Sequence, residues 1–312
     1  MWGSFAIVVL ALIAFLGGLR VMRQGLEGMG EGRLQWLLRR FVKTPTRGIA
    51  TGVVVTAVLQ SSAAVTAITV GLVAGGTMAF RDALGVVLGS NVGSTITPQL
   101  LTLNLWVFAL PCLFIGIIGF LSGRSGLYYP SMALTGFSTI FIALQTLPLG
   151  LHPLSKAPAF HNALQTAGLN PILAVVAGMV TSALLQSSTA TTVFTMALVA
   201  ESAIPLDGGI AIVLGANVGT CLTSVIAALG QSRAAQQVAL SHVLLNIGGV
   251  VLTLPFLGWF SSWVTTMTSN PAQQIADAHT IFNVACTLLV WPVTGPFAAL
   301  VERLLPDGQA AS

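Results

Sequence analysis

Apolar residues run along this chain in blocks of about 20, each long enough to cross a bilayer as a helix. Residues 2–19, 105–121, 210–229 and 238–257 are the clearest, and one span near 3–22 matches another near 130–149. Two further blocks, 48–76 and 174–200, are apolar but interrupted by the same polar cluster, Gln60-Ser61-Ser62 and Gln186-Ser187-Ser188. About 11 apolar residues, Ile49 to Leu59, precede the first cluster, and at about 1.5 Å per residue they cannot span. The pattern predicts re-entrant helical hairpins with Gln-Ser-Ser at their tips, a backbone tolerated at membrane depth where it lines a protein cavity. Between the first span and the first hairpin, Arg33–Phe41 has the character of an amphipathic interfacial helix.

The same order of blocks occurs twice. A shift of 126 residues aligns 51–97 with 177–223 without a gap, and 20 of those 47 positions are identical. The matches concentrate on polar residues: the two Gln-Ser-Ser clusters coincide, and Gly89, Asn91, Val92 and Gly93 fall on Gly215, Asn217, Val218 and Gly219. Phe15 meets Phe141 and Pro45 meets Pro171 at the same shift. The chain thus reads as a first transmembrane repeat over 1–126, a second over 127–252, and a C-terminal transmembrane segment and tail over 253–312. Three full crossings per repeat, an odd number, would invert the second copy. Duplicated halves meeting at the midplane are a common transporter plan.

Composition removes the soluble alternatives. Charged residues are 6% and hydrophobic residues 55% of the 312, against about 25% charged in soluble domains. Seven basic residues lie between Arg20 and Arg47, namely Arg20, Arg23, Arg33, Arg39, Arg40, Lys43 and Arg47. Flanked by membrane segments, they read as a cytoplasmic loop obeying the positive-inside rule rather than a nucleic-acid site. No charge precedes Arg20, so the start reads as a span with its N-terminus outside rather than a signal peptide. That orientation puts eleven of the twelve Lys and Arg on the cytoplasmic side, with Lys156 outside and the C-terminus cytoplasmic. A topology in which both Gln-Ser-Ser stretches cross fully puts ten inside, so helix length is the stronger argument for hairpins. Cys112, Cys221 and Cys286 all lie in apolar segments and suggest neither a disulfide nor a metal site.

Three polar constellations carry the chemistry. Hydroxyls and amides in hydrocarbon need partners. Small hydroxylated residues can serve helix packing alone, but an identical triplet at one place in both halves points to a shared polar site. The second pair, Asn91-Val-Gly-Ser-Thr95 and Asn217-Val-Gly-Thr220-Cys221, follows Gly89 and Gly215, and Gly-x-Asn-x-Gly favours a broken helix. A break at the midplane offers N–H groups to anions and carbonyls to cations; the alternative is a packing kink. The third is Ala239-x-x-His242-x-x-x-Asn246, which recurs as Ala276-x-x-His279-x-x-x-Asn283, with His and Asn sharing a helix face. Asp277 is expected at the interface. No Lys or Arg falls at the centre of an expected span, so a bound anion would rely on amides, hydroxyls, helix N-termini and co-bound cations. That is a reason for cation coupling. No acid–base partner lies near Ser61 or Ser187 in sequence, so an enzyme is not expected.

At these residues the chain resembles the sodium/phosphate cotransporter family, type II, in its bacterial form without a C-terminal regulatory domain. The stretches Gln237-Val-Ala-Leu-Ser-His242-Val-Leu-Leu-Asn246 and Ala276-Asp-Ala-His279-Thr-Ile-Phe282-Asn283 are similar to that family too, and the likeness covers residues 1 to about 300. The resemblance implies an all-α polytopic membrane protein of two inverted-topology repeats, each with a re-entrant hairpin and a broken helix. It implies phosphate between the tips, touched by Gln60, Ser61, Ser62, Gln186, Ser187 and Ser188, with Asn91 and Asn217 nearby. Sodium would be the coupling ion, with Thr220 and Thr223 as candidate ligands, and no cofactor is expected. Thr189, His242, Asn246, His279 and Asn283 would stand around the site. At the first tip Ala63 replaces the hydroxyl of Thr189, and Gly116 and Phe120 occupy the places of His242 and Asn246. The expected partners are phosphate, sodium and the lipid bilayer, with no nucleic acid. The expected location is a bacterial inner membrane, where charge-poor helical surfaces admit a homo-oligomer.

Overall fold

A computed structural model describes residues 2–30, 32–103, 105–158, 162 and 168–306. The described residues form helices and no strands. In chain order they are α1 (Trp2–Met29), α2 (Arg33–Phe41), α3 (Pro45–Leu59), α4 (Ser62–Ala74), α5 (Phe80–Ser94), α6 (Ile96–Thr102), α7 (Trp106–Leu121) and α8 (Ser125–Ser155). Then come α9 (Pro171–Leu185), α10 (Ser188–Ala200), α11 (Leu206–Ala228), α12 (Arg233–Thr253), α13 (Leu257–Thr265), α14 (Pro271–Val290) and α15 (Thr294–Leu304). Short 3-10 turns join α12 to α13 and α14 to α15. Five stretches are long and apolar enough to cross a membrane: Trp2–Met29, Ser125–Ser155, Leu206–Ala228, Arg233–Thr265 and Pro271–Leu304. This is an integral membrane protein.

Local sequence explains the element ends. Pro45 and Pro171 start α3 and α9 at the position where a missing N–H costs nothing. Thr44 and Asn170 cap them, accepting from the Arg47 and Leu173 amides. Both interrupted blocks are two short helices, of 15 and 13 residues, joined at Gln60-Ser61 and at Gln186-Ser187. The amphipathic α2 occupies the expected residues, with Trp36 and Phe41 exposed.

Three expectations are corrected. The first span runs on to Met29 and carries Arg20 and Arg23 inside the helix rather than in a loop. Residues 105–121 yield a helix of only 16 residues, about 24 Å long and short of the bilayer core by itself. The Gly-x-Asn-x-Gly motifs do not themselves break their helices. Around Asn217 the helix is continuous, and in the first copy the break comes four residues after Asn91, at Thr95. Pro98 explains that difference. It has no N–H for the Ser94 carbonyl, whereas Ser224, at the same place in the second copy, supplies one.

The motif glycines serve close approach instead. A side chain on Gly89 would strike the Ile49 carbonyl, and one on Gly93 the Val53 carbonyl. In the second copy Gly215 rests on the Val175 carbonyl and Gly219 on that of Met179. Each contact recurs at the 126-residue shift, so α3 against α5 and α9 against α11 are one interface made twice. Small residues four apart let membrane helices meet backbone to backbone. Around these pairs the core forms two clusters, one including Phe15, Leu147, Ile210 and Ile275, the other Val65, Val86, Val238 and Ala298. Outward faces are apolar too: Val54, Ile172, Leu184, Val251, Trp259 and Leu289 are all exposed, as lipid contact requires.

Candidate functional site

The site is built from two identical backbone devices. Gln60 and Gln186 end their helices in the left-handed region, at φ 58° and 51°. The next residue, Ser61 or Ser187, is extended and begins a new helix. Ser61 Oγ accepts from the Ala64 amide and Ser187 Oγ from the Ala190 amide, each at 3.2 Å. Both serines are N-caps, so each tip presents the N-terminus of a helix, where unpaired amides and the helix dipole favour anions. Ser62 and Ser188 stand at the first helical position, and Thr189 is buried in the first turn of α10.

The two tips converge on Arg23. Its Nε donates to the Gln60 carbonyl oxygen at 2.8 Å, and its Nη2 donates to Ser187 Oγ at 3.0 Å. One guanidinium thus joins tips 126 residues apart in sequence. The glutamines behave differently. Gln60 is tucked in, its amide donating to the Ala57 carbonyl while Thr97 Oγ1 donates to its Oε1. Gln186 is exposed. Thr223, at the position matching Thr97, turns its hydroxyl to the Thr220 carbonyl (2.8 Å). Thr220 Oγ1 donates to the Ala216 carbonyl and lies 2.9 Å from Ser182 Oγ.

Behind the tips, the two asparagines meet the two His-x-x-x-Asn motifs. Asn91 Oδ1 lies 3.2 Å from His242 Nε2, and Asn91 Nδ2 donates to Asn246 Oδ1 at 3.3 Å. Asn217 Oδ1 takes both His279 Nε2 (3.4 Å) and Asn283 Nδ2 (3.2 Å). All six side chains are buried. Sequence reading singled out the asparagines and the histidine motifs separately; the structure joins them into two matching clusters. The clusters are unequal. His242 Nδ1 lies 3.0 Å from Ser224 Oγ, and Asn246 Nδ2 also donates to Cys221 Sγ. Among the described residues, His279 Nδ1 and Asn283 Oδ1 have no hydrogen-bond partner. The residues matching Ser224 and Cys221 in the first copy are Pro98 and Thr95, and proline offers no side-chain donor or acceptor.

Asp277 is half-buried, and its Oδ1 accepts from Gln99 Nε2 (3.0 Å) and Gln273 Nε2 (2.8 Å), tying α6 to α14. Sequence reasoning missed Arg23, Thr97, Gln99 and Ser224 as members of this polar interior. For Arg23 a signal was present: the stripe of Phe15, Leu19 and Met22, all buried, continues the helical period past Arg20.

The arrangement is one of paired, serine-capped helix starts around a cation, repeated by duplication. The sequence model of the Na+/Pi-cotransporter family matches the chain twice, over residues 14–148 and 150–287. The chain belongs to the Na+/Pi-cotransporter family. Among its relatives, "Uncharacterized protein YqeW" of Bacillus subtilis is 33% identical over 260 residues, covering 83% of this chain and 85% of that protein. The Escherichia coli "Putative inorganic phosphate export protein YjbB" is 28% identical over 257 residues, 79% of this chain but 46% of that one, so this chain spans under half of that relative. Human "Sodium-dependent phosphate transport protein 2B" is 35% identical over 92 residues, 28% of this chain and 13% of its own. No solved structure matches the chain.

Proposed function

We propose that this protein is a secondary active transporter of inorganic phosphate coupled to sodium, working by alternating access. The observation that carries the reading is the convergence of both Ser-capped helix starts on one guanidinium. Ser187 Oγ already accepts from Arg23 and from the Ala190 amide, so its own hydrogen points to a further acceptor. Ser61 Oγ likewise accepts from Ala64. A site of donors suits a tetrahedral oxyanion. The family and the names of YjbB and protein 2B support phosphate. We assign substrate contact to Gln60, Ser61, Ser62, Gln186, Ser187 and Ser188, and sodium contact to Thr220 and Thr223, whose oxygens suit that ion. His242, Asn246, His279 and Asn283 hold Asn91 and Asn217 in place behind the tips.

In this reading the Gln-Ser-Ser pairs are re-entrant hairpins and the two repeats are inverted, with the N-terminus outside and the C-terminus in the cytoplasm of a bacterial inner membrane. The 13- and 15-residue helices on either side of each tip support it, because neither spans by itself. Cysteines placed at Ala63 and Thr189 should react with an impermeant maleimide from opposite sides of the membrane; labelling of both from one side rejects inversion. Phosphate uptake into proteoliposomes should saturate and require an inward Na+ gradient, with a matched K+ gradient giving none. Equal uptake in K+ keeps the transporter and removes the coupling. The name of YjbB favours export as the direction of a second reading, and the same assay run with phosphate loaded inside distinguishes it.

A further inference from the structure

We propose that Arg23 is the fixed counter-charge of the anion site: it clasps the two tips when the site is empty and pairs with a doubly charged tetrahedral oxyanion when it is filled. This rests on the reading of the tips as the phosphate site.

The argument begins with what Arg23 lacks. The described residues contain two ion pairs, Arg81–Glu302 and His152–Glu201, and Arg23 belongs to neither. Its acceptors are a carbonyl and a hydroxyl, both neutral. A guanidinium carries five N–H donors in a planar fork shaped for carboxylate or phosphate, and two of these donors are occupied here. Glu27, exposed and one turn on in α1, offsets part of this charge but makes no ion pair with it among the described residues. Holding a guanidinium half-buried on neutral acceptors alone is costly, and two further features add positive charge to the same place. The helix starts at Ser61 and Ser187 bring positive dipole ends to the same place. Every one of these features is relieved by an anion, and none by a cation.

The position is specific to one copy. The residue 126 places on is Leu149, which is exposed, so among the described residues the second copy supplies no counterpart to this guanidinium at the tips. Fixed charge near an anion biases the site toward the more highly charged form of phosphate. Arg23 should therefore set the preference for the dianion over the monoanion, apart from the hydroxyls and amides that bind either.

The test is phosphate titrated against the full chain, purified in detergent, at pH values on both sides of the second ionisation of phosphate. The wild-type protein should bind more tightly at the higher pH. Arg23→Gln should weaken binding at the higher pH at least tenfold, about 1.4 kcal/mol, and flatten the pH dependence. Arg23→Lys, which keeps the charge and loses the fork, should retain the pH dependence with weaker binding. Arg23→Gln with the wild-type constant and the wild-type pH dependence overturns the proposal. If Arg23→Gln does not fold, Arg23→Lys decides alone: a flattened pH dependence in that variant overturns it. A wild-type protein that ignores phosphate but binds sulfate, with the same loss in Arg23→Gln, removes phosphate as substrate and leaves the counter-charge standing. No oxyanion binding by the wild type overturns both.

Discussion

Phosphate binding should disappear from the Ser61→Ala, Ser187→Ala double variant while the protein remains folded. Each hydroxyl oxygen already accepts at home, Ser61 from the Ala64 amide and Ser187 from the Ala190 amide and Arg23. Its hydrogen is what it can offer a ligand. A hydrogen bond to a charged group contributes about 1.5–3 kcal/mol, so losing two weakens binding by about two to four orders of magnitude. The structural cost is smaller. Removing an N-cap destabilises a helix by about 1 kcal/mol, and the surrounding helices still pack. Isothermal titration with phosphate, beside a melting curve of the same sample, separates the two effects. Threonine at both places keeps a hydroxyl and should keep binding. Unchanged affinity in the double alanine variant would remove the serines from the site.

Alanine should act with opposite sign at two glycines of neighbouring transmembrane helices. At Gly215 the new methyl would enter the Val175 carbonyl, which belongs to a helix backbone and cannot turn aside. The α9–α11 pair would have to separate, and we expect a loss of about 3 kcal/mol or more, at the upper end of what overpacking costs. At Gly248 nothing lies within 4 Å, and alanine there should stabilise α12 by about 0.5–1 kcal/mol through its better helix propensity. Melting temperatures in one detergent measure both. A harmless Gly215→Ala would show that the helices are not held backbone to backbone.

Much of this architecture is legible before any coordinates. Period and length give the spans, and the 126-residue shift gives the duplication, because Gln-Ser-Ser and Gly-x-Asn-x-Gly recur as polar islands in apolar sequence. The amphipathic helix at Arg33–Phe41 is likewise visible. What stayed hidden was of two kinds. Glycine beside asparagine reads as a helix breaker, yet in hydrocarbon the gain from close packing outweighs glycine's weak helix propensity, and the helix around Asn217 runs on. Telling these apart needs the partner helix, since Gly215 matters only because Val175 lies against it. Arg23 was hidden by the very comparison that exposed the tips: a search for matching residues cannot find one that pairs with Leu149. The meeting of Asn91 with His242 and of Asn217 with His279 joins residues 151 and 62 positions apart, a distance no local pattern reports.

Pro98 stands in the first copy where the second has Ser224, and the two asparagine clusters differ by more than one hydrogen bond. Around His242 both ring nitrogens are within hydrogen-bond distance of a partner, Ser224 Oγ at 3.0 Å and Asn91 Oδ1 at 3.2 Å. Around His279, two buried atoms have no hydrogen-bond partner among the described residues, and an unsatisfied buried polar atom costs about 1–3 kcal/mol. Two halves still alike in their helices are in this respect unequal: the asparagine of the first copy is held by a more fully bonded cluster than that of the second.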